Sequence, residues 1–494
     1  MSSMDSPITR GLRHLPEFVK RCTLGYNSVA HRRRTGPRNS TLPRTNIPLS
    51  ETPLFSNRQL AHLILPLVIE RMLDVSVGLA DTIMIASVGE AAVSSVALVD
   101  SINHLFLFLF SALAAGGAVV VAQYIGQRNA QRAGEAAKQL IYTTTFVALV
   151  FMITFLLFNH AILYLLYGEI DAQIMQKAQL YFTLTALSYP FLGLFNSGAA
   201  LFRSMGNSHV SMRVSVIMTV SNILGNAMLI YGFGLGVLGA GLATLASRIL
   251  AAIIMLMLLV RRSEGIVLDR LLRVRLDWSM IRRILRIGIP NGIESGIFHI
   301  GKILVQTLTA SFGTTAIAAN AIANSIASIT NIPGGAIGLA TITVVGQCMG
   351  AGRTKQADQY ARKLMKVAYI TLALLAAVLF LATSSMVSLF NLSEQSSVLA
   401  ISILRILFVA NALIWPLAFT LPQVLRAAGD VRFTMSVSIA SMWIFRVGLS
   451  YIFALTLGMG LHGIWFAMYV DWLFRSICFV TRFLKGSWQT RKVI

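Results

Sequence analysis

From about residue 60 onward the chain is a near-continuous succession of apolar runs of about 20 residues or more, enough for a helix to cross about 30 Å of hydrocarbon. Of the 494 residues, 56% are hydrophobic and only 12% are charged, whereas soluble domains carry about 25% charged residues. This is the composition of a polytopic membrane protein. Cutting at the apolar runs predicts about twelve helices, at roughly 60–86, 94–125, 135–158, 173–202, 209–231, 237–260, 287–311, 317–349, 364–390, 396–424, 433–456 and 462–481. The fold class is therefore all-α, with about twelve transmembrane helices in two six-helix lobes.

The net charge of +22 invites a nucleic-acid reading, but its distribution argues against one. Basic residues fall in alternate gaps: Arg32–Arg34, Arg128/Arg132/Lys138, Arg203/Arg213, the Arg261–Arg286 stretch, Arg353–Lys366, Arg426/Arg432 and Arg482–Lys492. The other gaps hold acids or nothing, such as Glu90, Glu169, Asp171 and Glu394. The positive-inside rule then puts both termini and every basic loop in the cytoplasm. The expected location is a bacterial inner, or plasma, membrane, with an organellar membrane as the alternative.

The two halves repeat one another. Leu65–Lys138 aligns without a gap on Ile289–Arg362, 224 residues later. Pro66 falls on Pro290, Glu70 on Glu294, Ser101-Ile102 on Ser325-Ile326, Gln123 on Gln347 and Gly126 on Gly350. Arg203-Ser-Met-Gly206-Asn207 matches Arg426-Ala-Ala-Gly429-Asp430 at nearly the same offset. Such a parallel repeat has its pseudo-twofold axis along the membrane normal and its ligand cavity between the lobes. The expected organisation is a basic N-terminal tail at 1–57, an N-lobe at 58–262, a basic linker at 263–286, a C-lobe at 287–484 and a C-terminal tail at 485–494. The tail at 1–57 lacks the apolar core of a secretory signal. It reads as a disordered cytoplasmic tail or an upstream start, with a transit peptide as the alternative. Small residues crowd Ala112–Ala118, Gly234–Ala243 and Gly334–Ala340, which suits close helix packing or, alternatively, a hinge or substrate lining.

Charge inside a bilayer costs several kcal/mol, so each such residue calls for a partner or a purpose. Glu70, Asp74 and Asp81 lie within about 40° of one another on the first helix and form an acidic stripe. Glu70 has two readings: a pair with Arg71 or another basic residue, or a coupling role. Asp81 has no basic neighbour in sequence and is the stronger functional candidate, with Glu70, Asp74 and Glu294 as secondary ones. Asn222 and Asn226 share a face of the fifth helix, and Thr244 lies on the sixth. They read either as interhelical glue or, with Asp81, as an oxygen-lined pocket for a proton or Na+. In the second half, Gln306, Asn320 and Asn324 are substrate-cavity candidates, Lys302, Arg405 and Arg446 are intramembrane cations, and Asp471 with Arg475 suggests an ion pair. The three cysteines and eight histidines show no disulfide framework or metal spacing. No cofactor is expected beyond the coupling ion, and no metal beyond a possible Na+ at Asp81.

Several ordered motifs resemble the multidrug and toxic compound extrusion (MATE) family. They are Gly78-Leu-Ala-Asp81-Thr-Ile-Met84, Ser221-Asn-Ile-Leu-Gly-Asn226 through Gly232, Gly239-Ala-Gly-Leu-Ala-Thr244, and the turns Leu201–Asn207 and Leu425–Asp430. The resemblance spans residues 58–484. It implies alternating access and export of cationic or amphipathic organic compounds by a monomer, against inward H+ or Na+. By position, Asp81, Asn222, Asn226 and Thr244 match that family's N-lobe cation site. Some members carry an acid where Asn226 stands, which leaves this pocket one acid fewer. Others use acids in helices 7 and 10, which have no match in place here. The alternative is a lipid-linked oligosaccharide or lipid flippase of the same broad superfamily. A membrane enzyme would need a nucleophile–base pair or a metal cluster, and the sequence offers neither.

The charge pattern makes the topology testable. Single cysteines at Arg128 and Arg270 should react only from the cytoplasmic side, and those at Glu90, Glu169 and Glu394 only from outside. External labelling at Arg270 would overturn the twelve-helix reading.

Overall fold

The computed structural model describes residues 52–261, 266–268, 273–390, 392–491 and 493–494. The first 51 residues, holding most of the basic tail, and Arg270 lie outside the described residues. Every regular element described is a helix, and the helices join into twelve rods. In the N-lobe these are α1 (Asn57–Ala86), α2 (Glu90–Gly126), α3 (Ala130–Tyr167), α4 (Ala172–Leu187 continued by Tyr189–Ser204), α5 (Ser208–Gly232) and α6 (Gly236–Arg261). The C-lobe follows with α7 (Trp278–Ala310), α8 (Thr314–Thr330 continued by Ile332–Gly350) and α9 (Thr354–Ser388). It closes with α10 (Glu394–Leu413, Pro416–Thr420 and Leu421–Ala427), α11 (Val431–Thr456) and α12 (Gly460–Leu484).

Nine of these stretches are long and apolar enough to span a membrane on those criteria alone. The other three rods have evident reasons to fall short. α1 and α7 carry charges along their length, and α4 is interrupted at Ser188, just before Pro190. Proline removes a backbone donor and crowds the preceding turn, so a break there is expected.

Local signals set several ends. Ser56 and Gln59 form a reciprocal capping box at the start of α1. Asp277 caps α7 by accepting from the backbone N–H groups of Ser279 and Met280. That cap corrects the expected linker: α7 begins at Trp278, so residues 278–286 are helical rather than loop. The basic residues there disguised an amphipathic turn whose Met280, Ile281 and Ile284 are buried.

The lobes are joined unevenly. At the acidic ends each lobe has its own core, one built around Phe106, Phe110, Phe155 and Phe182, the other around Leu404, Phe408, Trp415 and Trp465. At the basic ends the cores straddle both lobes. Leu60, Leu63 and Leu67 of α1 pack with Ala336, Ala340 and Val344 of α8, and Ala114 and Val121 of α2 cluster with Met280, Ile284 and Ile342. The crowded small residues allow this approach. A Cβ on Gly116 would lie 2.6 Å from the Gly288 nitrogen across the lobes, and within the C-lobe one on Gly334 would lie 2.0 Å from the Trp415 ring. For those two stretches close packing is the role observed.

The tightest contact repeats itself across the pseudo-twofold. A Cβ on Gly126 would sit 2.0 Å from the Gln347 carbonyl oxygen, and one on Gly350 would sit 1.9 Å from the Gln123 carbonyl oxygen. The amide side chains complete the exchange. Gln123 Nε2 donates to the Ala427 carbonyl (2.9 Å), and Gln347 Nε2 donates to the Ser204 carbonyl (2.7 Å). Each glutamine thus reaches the turn between the fourth and fifth helices of the opposite lobe.

Each buried cross-lobe bond contributes about 1 kcal/mol. Removing both in Gln123→Ala/Gln347→Ala should shift the population toward separated basic ends by about 10-fold or more. Spin labels at Arg128 and Thr354 should then show a longer-distance population. An unchanged distance distribution would show that the two glutamine bonds do not hold the basic ends together.

Candidate functional site: a polar network inside the N-lobe

Asp81 lies near the acidic end of α1, opposite α5. Asn226 Nδ2 donates to Asp81 Oδ1 at 2.6 Å. The same amide lies 3.5 Å from Asn222 Oδ1, at the limit of a hydrogen bond, and Asn222 Nδ2 donates to Thr244 Oγ1 of α6 at 3.3 Å. The i, i+4 spacing of the two asparagines puts them on one face. The structure therefore brings Asp81, Asn222, Asn226 and Thr244 into one connected set from three helices. Immediately after Asn226, α5 changes to π-helical winding over Ala227–Gly232, a local unwinding often associated with functional sites. Asn226 Oδ1 is buried without a partner among the described residues. Carboxylate, amide and hydroxyl oxygens are hard ligands of the kind that suit an alkali cation, and the carboxylate can instead take up a proton. Among the described residues no group of three or more His, Cys, Asp or Glu side chains is placed to hold a metal ion.

A second acid adjoins this set, and the sequence reading missed it. Asp100 of α2 accepts from Asn103 Nδ2 (3.1 Å) and from the Tyr181 hydroxyl (3.3 Å), while the Tyr189 hydroxyl donates to Asn103 Oδ1 (2.8 Å). Arg248 of α6 donates to Ser188 Oγ at 2.6 Å, at the break in α4. Asp100 and Arg248 are the charged groups that act on Asp81 electrostatically. Asp81 is the one acid of the hydrogen-bonded Asn222–Asn226–Thr244 set, and Asp100 and Arg248 belong to an adjoining network. The available signal was Asp100 itself, an acid near the start of an apolar run, with tyrosines on a neighbouring helix to hold it.

The acidic stripe on α1 divides among different partners. Glu70 is buried, receives Arg203 NH1 at 2.9 Å and accepts from the Ser211 hydroxyl at 2.9 Å. Asp74 pairs instead with Arg71 at 3.3 Å, with both side chains about half exposed. Glu294 repeats the Glu70 arrangement, with Arg426 NH2 at 2.6 Å, and Arg426 also donates to Thr434 Oγ1. Glu70 and Glu294 therefore have basic partners, though neither partner is Arg71. In the C-lobe Asp471 pairs with Arg475 at 2.8 Å, and Ser441 also donates to it. Gln306, Asn320 and Asn324 gather with Lys302 and Arg446 around a separate cavity of about 30 Å³.

Two six-helix lobes related by a repeat, with a polar site inside one of them, define a membrane carrier rather than an enzyme. The sequence pattern of the MatE family matches residues 66–228 and again 290–452, the same 224-residue offset as the internal repeat. The chain belongs to the MatE family, whose members are transporters. Among curated relatives, the uncharacterized transporter YisQ of Bacillus subtilis is 28% identical over 86% of this chain and 93% of that protein. A probable multidrug resistance protein NorM of Thermotoga maritima is 25% identical over 91% of this chain and 96% of its own length. A solved structure described as MATE in the bent conformation superposes with a TM-score of 0.79 at 21% identity, covering 87% of this chain and 94% of that one. A transporter of the MOP superfamily from Pyrococcus furiosus, described as having a binding pocket of reverse polarity, superposes at 0.82 with 21% identity, covering 88% and 97%.

The Glu–Arg pairs give a stability test. Removing one partner of a buried pair costs about 3–5 kcal/mol, because the remaining charge is stranded. Arg203→Gln and Arg426→Gln should each lower the detergent melting temperature markedly, whereas Arg71→Gln, in an exposed pair, should change it little. Equal melting of all three would deny the pairs a structural role.

Proposed function

We propose that this chain is a secondary antiporter that exports cationic or amphipathic organic compounds in exchange for inward H+ or Na+, with Asp81 as the coupling carboxylate. The observation that carries the reading is the Asp81–Asn226 hydrogen bond within the α1–α5–α6 polar set. An ion that competes for Asp81 must break or rearrange that bond, which ties site occupancy to the position of α1. α1 also runs into the cross-lobe core through Leu60, Leu63 and Leu67, so a change at its acidic end has a mechanical route to the basic end. Two acids beside one arginine carry a net charge of −1, and one monovalent cation neutralises it. One charge per cycle is the natural stoichiometry.

In this reading the basic ends and both termini face the cytoplasm of a bacterial inner membrane, following the distribution of Lys and Arg. All the cross-lobe hydrogen bonds among the described residues lie at the basic ends, including Gln123–Ala427, Gln347–Ser204, Thr343–Arg203 and Arg283–Tyr124. The conformation described is then the one closed toward the cytoplasm, and transport alternates it with a state open on that side. The working unit is a monomer, with lobes at about 58–262 and 287–484 around the linker.

Proteoliposome efflux driven separately by a Na+ gradient and by a pH gradient tests the assignment. Asp81→Asn keeps the shape and removes the charge. It should reach the membrane normally yet lose gradient-driven efflux by 10-fold or more. Asn226→Asp should alter ion preference without abolishing transport. Full efflux by Asp81→Asn at normal expression would move coupling to Asp100.

A further inference from the structure

The C-lobe cavity occupies the place that the polar site occupies in the N-lobe, but with opposite charge. At the 224-residue offset, Asp81 corresponds to Val305, Asp100 to Asn324 and Thr244 to Met468, and all three counterparts line the C-lobe cavity. Both acids have become uncharged residues. In their place the wall carries two cations, Lys302 of α7 and Arg446 of α11, and no Asp or Glu.

Neither cation is fully satisfied by the described residues. Lys302 is exposed to the cavity and makes no hydrogen bond or ion pair with the described residues. Arg446 is largely buried, with a side-chain exposure of 12%. It lies 5.5 Å from the centre of the Phe298 ring. Its NH1 makes only a long ion pair with Asp471 Oδ2, at 3.9 Å and beyond hydrogen-bond range. Arg475, at 2.8 Å, and Ser441 hold the other carboxylate oxygen, Oδ1, and Arg446 Nε has no acceptor among the described residues. Buried donors are ordinarily satisfied, so an orphaned guanidinium nitrogen beside an unpaired ammonium marks a place for an acceptor. Amides add to it. Trp465 Nε1 donates to Asn320 Oδ1 at 3.0 Å, which orients the Asn320 NH2 as the free donor. The space between these groups, about 30 Å³, holds one or two water-sized groups, the scale of a carboxylate. Ile464, Val305, Met468 and the Trp465 ring supply an apolar flank.

We infer that this cavity binds the carboxylate of an amphipathic organic substrate, zwitterions included, with Lys302 and Arg446 as its counter-charges. A plain cation meets two like charges there. The inference narrows the substrate class of the proposed exporter, but as a binding site it stands on the cavity alone.

The test uses a rhodamine with a free carboxylate and its methyl ester, which differ only in that group. Binding is read by fluorescence polarisation on the purified full-length protein in detergent. Wild type should bind the free carboxylate about 10-fold more tightly than the ester. Lys302→Gln should reduce that preference several-fold, and Lys302→Glu should reverse it. Lys302 is exposed and unpaired, so these variants should fold; Asn324→Asp, which restores the acid of the repeat, should independently weaken the carboxylate rhodamine. Equal wild-type binding of the two dyes, or an unchanged preference in Lys302→Glu, would overturn the inference. A carboxylate preference without gradient-driven movement of either dye in proteoliposomes would support the site and overturn the export reading.

Discussion

A carboxylate on a membrane helix needs a counter-charge, and the way Glu70 finds one organises much of this protein. Its partner, Arg203, stands at the end of α4, so the ion pair ties the first helix to the turn between α4 and α5. The adjoining residue of that turn, Ser204, offers its carbonyl to Gln347 of the other lobe. The same chain of contacts runs in the C-lobe from Glu294 through Arg426 to Ala427, whose carbonyl receives Gln123. One buried ion pair per lobe thus positions the turn that the opposite lobe grips. The helix that carries Asp81 is part of that linkage.

The physical character of the two ends of the molecule follows from side-chain size. At the basic ends glycine faces backbone, and no side chain intervenes between Gly126 and Gln347 or between Gly350 and Gln123. Contacts of that kind are either made closely or lost, because a close-packed interface deforms little before it separates. At the acidic ends large aromatic residues fill each lobe separately. Each lobe is thereby cohesive on its own, while the cross-lobe hydrogen bonds among the described residues gather at the basic ends. That arrangement suits a carrier that exchanges one closed end for the other.

Duplication supplied the scaffold twice, but the two internal sites diverged. The ion pairs, glutamines and interlocking glycines are shared because each copy must pack against the other by the same geometry. The interior positions near the acidic ends are under no such constraint. There the N-lobe holds Asp81 and Asp100 with one arginine, while the C-lobe holds Lys302 and Arg446 around Val305 and Asn324.

Much of this was legible in the chain itself. Apolar run length predicts the rods because hydrocarbon leaves the backbone no partner but itself. The alternation of Lys and Arg predicts which ends lie together, and the 224-residue repeat predicts two equivalent lobes because shared polar residues in apolar helices seldom coincide by chance. Asp81, Asn222, Asn226 and Thr244 stood out as polar side chains inside apolar helices, on motifs that resemble the family's. Helical spacing could place residues on a face, but it could not say what the face meets. Sequence set Asp81 apart from Glu70 and Asp74 but could not name the partners that divide the stripe, Arg203 of α4, Arg71 of α1 itself and Asn226 of α5. Asp100 joined the Asp81 region only when α2 folded beside α1 and α4. Arg446, one cation among several in the sequence, lines a cavity with only a long pair to Asp471, whose other oxygen Arg475 and Ser441 hold. Local order and lobe identity come from period and composition, which a sequence contains. Which buried charge is satisfied depends on distances between helices far apart in the chain, and tertiary packing alone decides it.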